Sequence, residues 1–134
     1  MSWNVNPSRD ELGFLVEAGI IYRDSRRFAE AREVFTAVRA LAPQSDAVAV
    51  LLGTVDFQQG DFESAERNYR LALELNPRSA YAYAHLGELA IFRKDKQQAE
   101  AHLKESLKLD PRGLHGTLAR RLMDMAAAAQ YERD

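Results

Sequence analysis

The chain contains no cysteine, which removes disulfides, thiolate metal sites and cysteine nucleophiles together and leaves stability to packing alone. No stretch approaches the roughly 20 consecutive apolar residues that span a bilayer, and Met1 to Pro7 show no basic cluster followed by an apolar run. A cytoplasmic protein is expected, with no membrane insertion. Charge of either sign is not in surplus: eighteen Lys and Arg against twenty Asp and Glu give a formal net charge of -2, too little to hold a polyphosphate, so nucleic acid is not an expected partner. Only three histidines occur, His85, His102 and His115; no two stand at metal-ligand spacing and no HExxH accompanies them, so no metal or other cofactor is expected. His102 and His115 read as surface residues. Gly113-Leu114-His115-Gly116 lacks the lysine, the serine or threonine and the preceding strand of a phosphate loop, and reads as a flexible lead-in to the last helix. No general acid, base or nucleophile stands out, and an enzyme is not expected.

What is present is a period. Pro43, Pro77 and Pro111 stand 34 residues apart, each closing Leu41-Ala42-Pro43, Leu75-Asn76-Pro77 or Leu109-Asp110-Pro111. Ala31, Ala65 and Ala99 precede the prolines at a constant offset, followed four residues on by Phe35, Tyr69 and Leu103, a spacing that places each pair on one helical face. Gly19, Gly53 and Gly87 keep the same register. A glycine inside a helix costs about 1 kcal/mol relative to alanine, so three in register point to close helix crossings, with the alanine as the facing small residue. Each proline ends one helix pair and begins the next, because it supplies no N–H and disfavours helix at the residue before it. Ser8-Arg9-Asp10-Glu11 has the form of a capping box, Gly60-Asp61 of a left-handed stop followed by a cap, and Asp95 with Gln98 of a weaker box. Helices are expected over 9–24, 28–41, 46–59, 62–75, 80–93, 96–109 and 114–131. The last carries Leu114, Leu118, Leu122 and Met125 at helical spacing and reads as a cap on an otherwise exposed end face. Glu63 and Arg67 are spaced for a weak surface ion pair.

The sequence resembles the tetratricopeptide repeat family, whose aromatic, Leu-Gly, Tyr, Ala, Phe and Pro positions recur every 34 residues. The units read Leu15, Gly19, Tyr22, Ala31, Phe35, Pro43; then Ala49, Gly53, Asp56, Ala65, Tyr69, Pro77; then Tyr83, Gly87, Ala90, Ala99, Leu103, Pro111. Asp56 and Ala90 replace a usual aromatic, which predicts looser packing beneath the second and third units. The resemblance implies an all-α fold: a single domain over residues 1–134, with three tandem helix-turn-helix units over about 12–45, 46–79 and 80–113 and a C-terminal capping helix, wound as a right-handed α-solenoid.

It also implies a site. In this family the first helix of each pair lines a concave groove, which by register would be Val16, Glu17, Ile20 and Arg23 from the first unit. The second would contribute Val50, Leu51, Thr54 and Phe57, and the third Tyr81, Ala84, His85, Glu88 and Ile91. The alternative for each is burial within the protein itself, or, for His85, simple solvation. The wall is largely apolar, and Val16, Ile20, Thr54 and Tyr81 stand where relatives that grip acidic C-termini place lysine, asparagine and arginine. The groove is therefore expected to hold an apolar or amphipathic segment of a protein partner. Arg27-Phe28, Val34-Phe35, Gln59-Gly60 and the closing Leu118 to Met123 helix give a layout similar to the small three-repeat chaperones of bacterial type III secretion. The rival expectation is a structural assembly subunit or scaffold that oligomerises through its convex face or termini. Trp3 is expected to pack locally on Leu12 or Leu15, the alternative being a self-association contact. Monomer and homodimer both remain open.

Overall fold

The computed structural model describes residues 8–131; Trp3 lies outside them. These residues form seven α-helices and no strand: α1 (Arg9–Asp24), α2 (Phe28–Leu41), α3 (Asp46–Gln58), α4 (Phe62–Leu75), α5 (Ala80–Phe92), α6 (Lys96–Leu109) and α7 (Leu114–Tyr131). α1 pairs with α2, α3 with α4 and α5 with α6, the pairs stack in chain order, and α7 lies against both α5 and α6.

Capping sets where the helices begin. Ser8, Ser45 and Ser79 hydroxyls accept from the N–H three residues on, as do the carboxylates of Asp61 and Asp95, each removing one orphan donor from a first turn. Arg27, at the start of α2, provides no such bond. α3 and α5 end one residue earlier than their patterns predict. In both, the second N–H beyond the helix bonds back only three residues, Gly60 to Phe57 and Lys94 to Ile91, and that residue is left-handed. Gly60 takes that conformation with φ 83, as its identity predicts; Arg26 (φ 62) and Lys94 (φ 60) occupy the same place in the other units without being glycine.

The glycines do pack closely, but against the bulky residue of the facing helix more than against its alanine. A Cβ on Gly19 would stand 2.8 Å from Phe35 Cδ1, one on Gly53 2.7 Å from Tyr69 Cδ1, and one on Gly87 2.6 Å from Leu103 Cγ. Phe35, Tyr69 and Leu103 are thereby enclosed almost completely. The alanine's part is its backbone, which at Ala65 O lies 3.2 Å from the same point above Gly53.

α3 is buried on every side, from Val48 through Asp56 without interruption, and α5 nearly so, because each is flanked by a unit before it and a unit after it. Looser packing is not found beneath the second unit. Asp56 accepts from Arg32 at 2.9 Å, Ser64 Oγ at 2.9 Å and Asn68 Nδ2 at 2.7 Å, so α2, α3 and α4 are joined through one buried carboxylate. Ala90 is buried as well, its carbonyl receiving the Asp95 N–H. The surface pair anticipated between Glu63 and Arg67 is absent among the described residues; Glu66 instead lies between Arg70 of its own helix and Arg93 of the next unit.

The lead-in to α7 is tight rather than flexible. Asp110 Oδ2 accepts from the N–H of His115 and Gly116, and a Cβ at Gly116 would lie 2.8 Å from the Asp110 carbonyl carbon.

Two glycine-to-alanine changes separate packing from propensity. Gly53→Ala is expected to destabilise by about 1–3 kcal/mol through overpacking against Tyr69. Gly13→Ala, on α1 with open space around the new methyl, is expected to stabilise by about 0.5–1 kcal/mol. Urea unfolding followed by circular dichroism measures both, and equal effects would contradict the crossing geometry.

Candidate functional site

The first helices α1, α3 and α5 share one side of the stack, and α7 continues it. Of the residues expected there, Val16 and Ile20 on α1 are half-buried against the α2 and α3 core. Arg23, one turn on, donates through Nη1 to Thr54 Oγ1 at 2.7 Å and through Nε to Asp24 at 2.9 Å. The Thr54 hydroxyl in turn donates to Leu51 O. The guanidinium is therefore held at a fixed position between the first and second units.

On α5, Tyr81, His85 and Glu88 are half-buried and adjacent. His85 Nδ1 lies 3.3 Å from Glu88 Oε1. The Tyr81 ring meets His85 edge-on at 5.0 Å and stacks on His115 of α7 at 4.6 Å. Behind them stands Tyr69, its ring 5.7 Å from His85 and its hydroxyl buried with no hydrogen-bond partner. Burial raises the pKa of both phenols, with Glu88 adding to the effect at Tyr69 and Arg23 opposing it at Tyr81. Both are neutral hydrogen-bonding groups at any ordinary pH.

Several expected wall positions are not on an open wall. Val50 and Ala84 are wholly enclosed, and Leu51 and Thr54 nearly so. Their place on α3 and α5 puts them between neighbouring units, so register alone overstated how much of a central helix faces outward. Phe57 is engaged at the α3–α4 corner, stacked on Phe62 at 5.3 Å and edge-on to Phe92 at 4.9 Å. Ile91 packs toward α6 and α7. What remains together is Val16, Ile20, Arg23, Tyr81, His85 and Glu88, a wall more polar than its letters implied.

His115 and the Tyr69 hydroxyl were missed by sequence reasoning. The signals were there: His115 follows Tyr81 by one 34-residue period, and Tyr69 carries an oxygen where the other units have phenylalanine or leucine. His102 is likewise no plain surface residue, lying half-buried with its ring 6.1 Å from Tyr83. The groups found are hydrogen-bond donors, acceptors and apolar faces; the described residues bring together no cluster able to hold a metal ion, and none of their helices is long and apolar enough to cross a membrane.

Two models of the tetratricopeptide repeat match the chain, over residues 50–113 and 22–67. No curated protein sequence matches it. Among solved structures, the Yersinia enterocolitica type III secretion chaperone SycD, in complex with a peptide of the translocator YopD, is similar with a TM-score of 0.72 at 20% identity, covering 95% of this chain and 98% of that one. PcrH in complex with the chaperone binding region of PopD is similar with a TM-score of 0.72 at 22% identity, covering 96% and 97%. The first repeat domain of Spaghetti (RPAP3), bound to the HSP90 peptide SRMEEVD, is similar with a TM-score of 0.67 at 21% identity, covering 92% and 99%. At these identities the likeness is one of fold.

Burial lowers the pKa of His115 below its ordinary 6.5, with Asp110 opposing and His85 adding, and lowers that of His102 in the same way. A base with a depressed folded pKa binds fewer protons when folded, so its contribution to stability is complete above the ordinary value and is lost as pH falls through it. Tm is expected to drop between about pH 7.5 and 5.5, before carboxylates titrate. The double variant His102→Gln, His115→Gln should flatten that slope in a scanning-fluorimetry series.

Proposed function

We propose that this chain, which belongs to the tetratricopeptide repeat family, works as a peptide-binding module whose groove receives an apolar or amphipathic segment of a partner protein. The observation that carries this reading is the line of half-buried side chains on one side of the stack: Val16 and Ile20 next to Arg23, then Tyr81, His85 and Glu88. Arg23, tethered to Thr54, and Glu88, beside His85, offer fixed polar groups to a partner's backbone, while the aliphatic surface is available for burial at about 25 cal/mol per Å². The Tyr69 hydroxyl just beneath lacks an internal partner, and a buried polar group left so costs about 1–3 kcal/mol.

The finer reading is a chaperone of the type III secretion kind, acting in the cytoplasm without catalysis and as one domain. It is supported by the fold shared with SycD in complex with a peptide of the translocator YopD and with PcrH in complex with the chaperone binding region of PopD. Peptide display on the purified chain tests the groove. Selected peptides should carry aliphatic residues, and the variant Ile20→Asp, Glu88→Arg should lose them by at least about tenfold, roughly 1.4 kcal/mol, with helicity unchanged. Undiminished binding would place the site elsewhere.

Self-association is a second reading, favoured by Phe14 and Ile21, 74% and 65% exposed and two turns apart on α1. Light scattering at rising concentration should then show a dimer that Phe14→Asp with Ile21→Asp disperses; a monomer throughout would leave α1 without this role.

A further inference from the structure

The last repeat unit has an opening that the second unit does not. In the second unit, Phe57 near the end of α3, Phe62 at the start of α4 and Phe92 from the following helix close the corner with three rings. One period later the same three places hold Ile91, Lys96 and Ala126. The first residue of the second helix is Phe28, then Phe62, then Lys96, so at that place the ring is lost only in the last unit; at the other two places the first unit also has no ring, with Arg23 and Gln58. The consequence in the last unit is an open cleft of about 580 Å³ between the α5–α6 corner and the C-terminal half of α7, with Ile91, Leu103, Met123 and Ala126 among its lining.

The rim of this cleft carries two lysines and one glutamate. Lys94 and Lys96 stand on it, and among the described residues no carboxylate pairs with either, while the one acidic lining residue, Glu100, is bound to Lys104 at 2.7 Å. Lys94 also holds the left-handed conformation, φ 60, at the turn position where the second unit has glycine. That conformation costs a side-chain-bearing residue about 1–2 kcal/mol, and such local strain clusters at places where a side chain is used. Phe92, 59% exposed, forms the lip next to the filled corner.

We infer that this cleft is a second docking site, separate from the groove, for a partner polypeptide segment that inserts a bulky apolar side chain into the vacated corner and sets acidic residues against Lys94 and Lys96. The inserted side chain takes the place that a ring fills one period earlier, in contact with Ile91, Leu103, Met123 and Ala126. The two ammonium groups select for acidic flanks and against basic ones.

The probe is an acetylated peptide of about 12 residues, three helical turns, with phenylalanine and leucine on one face and aspartate and glutamate on the other; its control carries lysine in place of the acids. With full-length methyl-labelled chain, the acidic peptide is expected to shift the methyls of Ile91, Met123 and Ala126 and the control is not. Lys94→Glu with Lys96→Glu should weaken binding at least about tenfold at low salt. Lys96→Phe with Ala126→Phe, which refills the corner, should weaken it as much while keeping or raising Tm. Ile20→Asp with Glu88→Arg should leave this binding intact, so failure of the cleft and failure of the groove are read separately. The inference is overturned by unshifted cleft methyls at about 1 mM peptide, by shifts confined to Val16 and Ile20, or by concentration-dependent shifts without peptide, which would assign the cleft to a second copy. Shifts on Glu132→Gln with Asp134→Asn alone would likewise overturn it, in favour of the chain's own acidic end.

Discussion

The stack depends on one contact made three times: the face of a helical glycine pressed by a bulky side chain from the partner helix. Gly19 receives Phe35, Gly53 receives Tyr69 and Gly87 receives Leu103, each at a separation that leaves no room for a methyl. Because interiors are close-packed, this contact sets how near the two helices of a unit approach and therefore how the next unit must lean on the first. A helix with alanine at that place would stand off, and the bulky side chain would no longer be enclosed on all sides.

From that spacing follows the unequal treatment of the helices. α3 and α5 lie between units and are buried nearly all round, whereas α2, α4 and α6 keep an outer polar face. A helix so enclosed has few positions for polar groups, and the fully buried ones are bonded: Asp56 by Arg32, Ser64 and Asn68, Thr54 by Arg23 and Leu51, Ser79 by the Ala82 N–H. Apart from the Thr54 to Leu51 bond within α3, these bonds cross from one helix to another or cap a first turn, so they fix register where apolar packing alone would tolerate sliding. On α4, by contrast, the Tyr69 hydroxyl sits behind Tyr81 and His85 without a partner.

The two ends of the stack solve the problem of an exposed repeat face differently. α1 keeps Phe14 and Ile21 in solvent. α7 covers α5 and α6, anchored by Asp110 at its start, but carries Ala126 where a ring would be needed to close the last corner. An imperfect copy of a repeat leaves a hole whose shape can be read from the unit before it, where Phe57, Phe62 and Phe92 fill the corner.

Helix existence and order were legible from spacing alone, because prolines, capping serines and aspartates, and the 34-residue register act locally and each carries its own physical reason. The glycine register announced a close crossing for the same reason, though not which residue would press on it. The left-handed turns at Arg26 and Lys94 could be read only by analogy with Gly60, since neither residue prefers that conformation. Which side chains of α3 and α5 face outward was decided by the tertiary structure: register names a face of a helix, but how much of that face stays open depends on how closely the flanking units approach. Thus Val50, Leu51 and Ala84 went to the core and Phe57 to an aromatic corner, while His115, distant in sequence, came to stack on Tyr81. Sequence by itself determined that there would be three helix pairs and a cap. The depth and chemistry of the surfaces between them arose only from packing, because solvent exposure belongs to the assembled stack and not to any one helix.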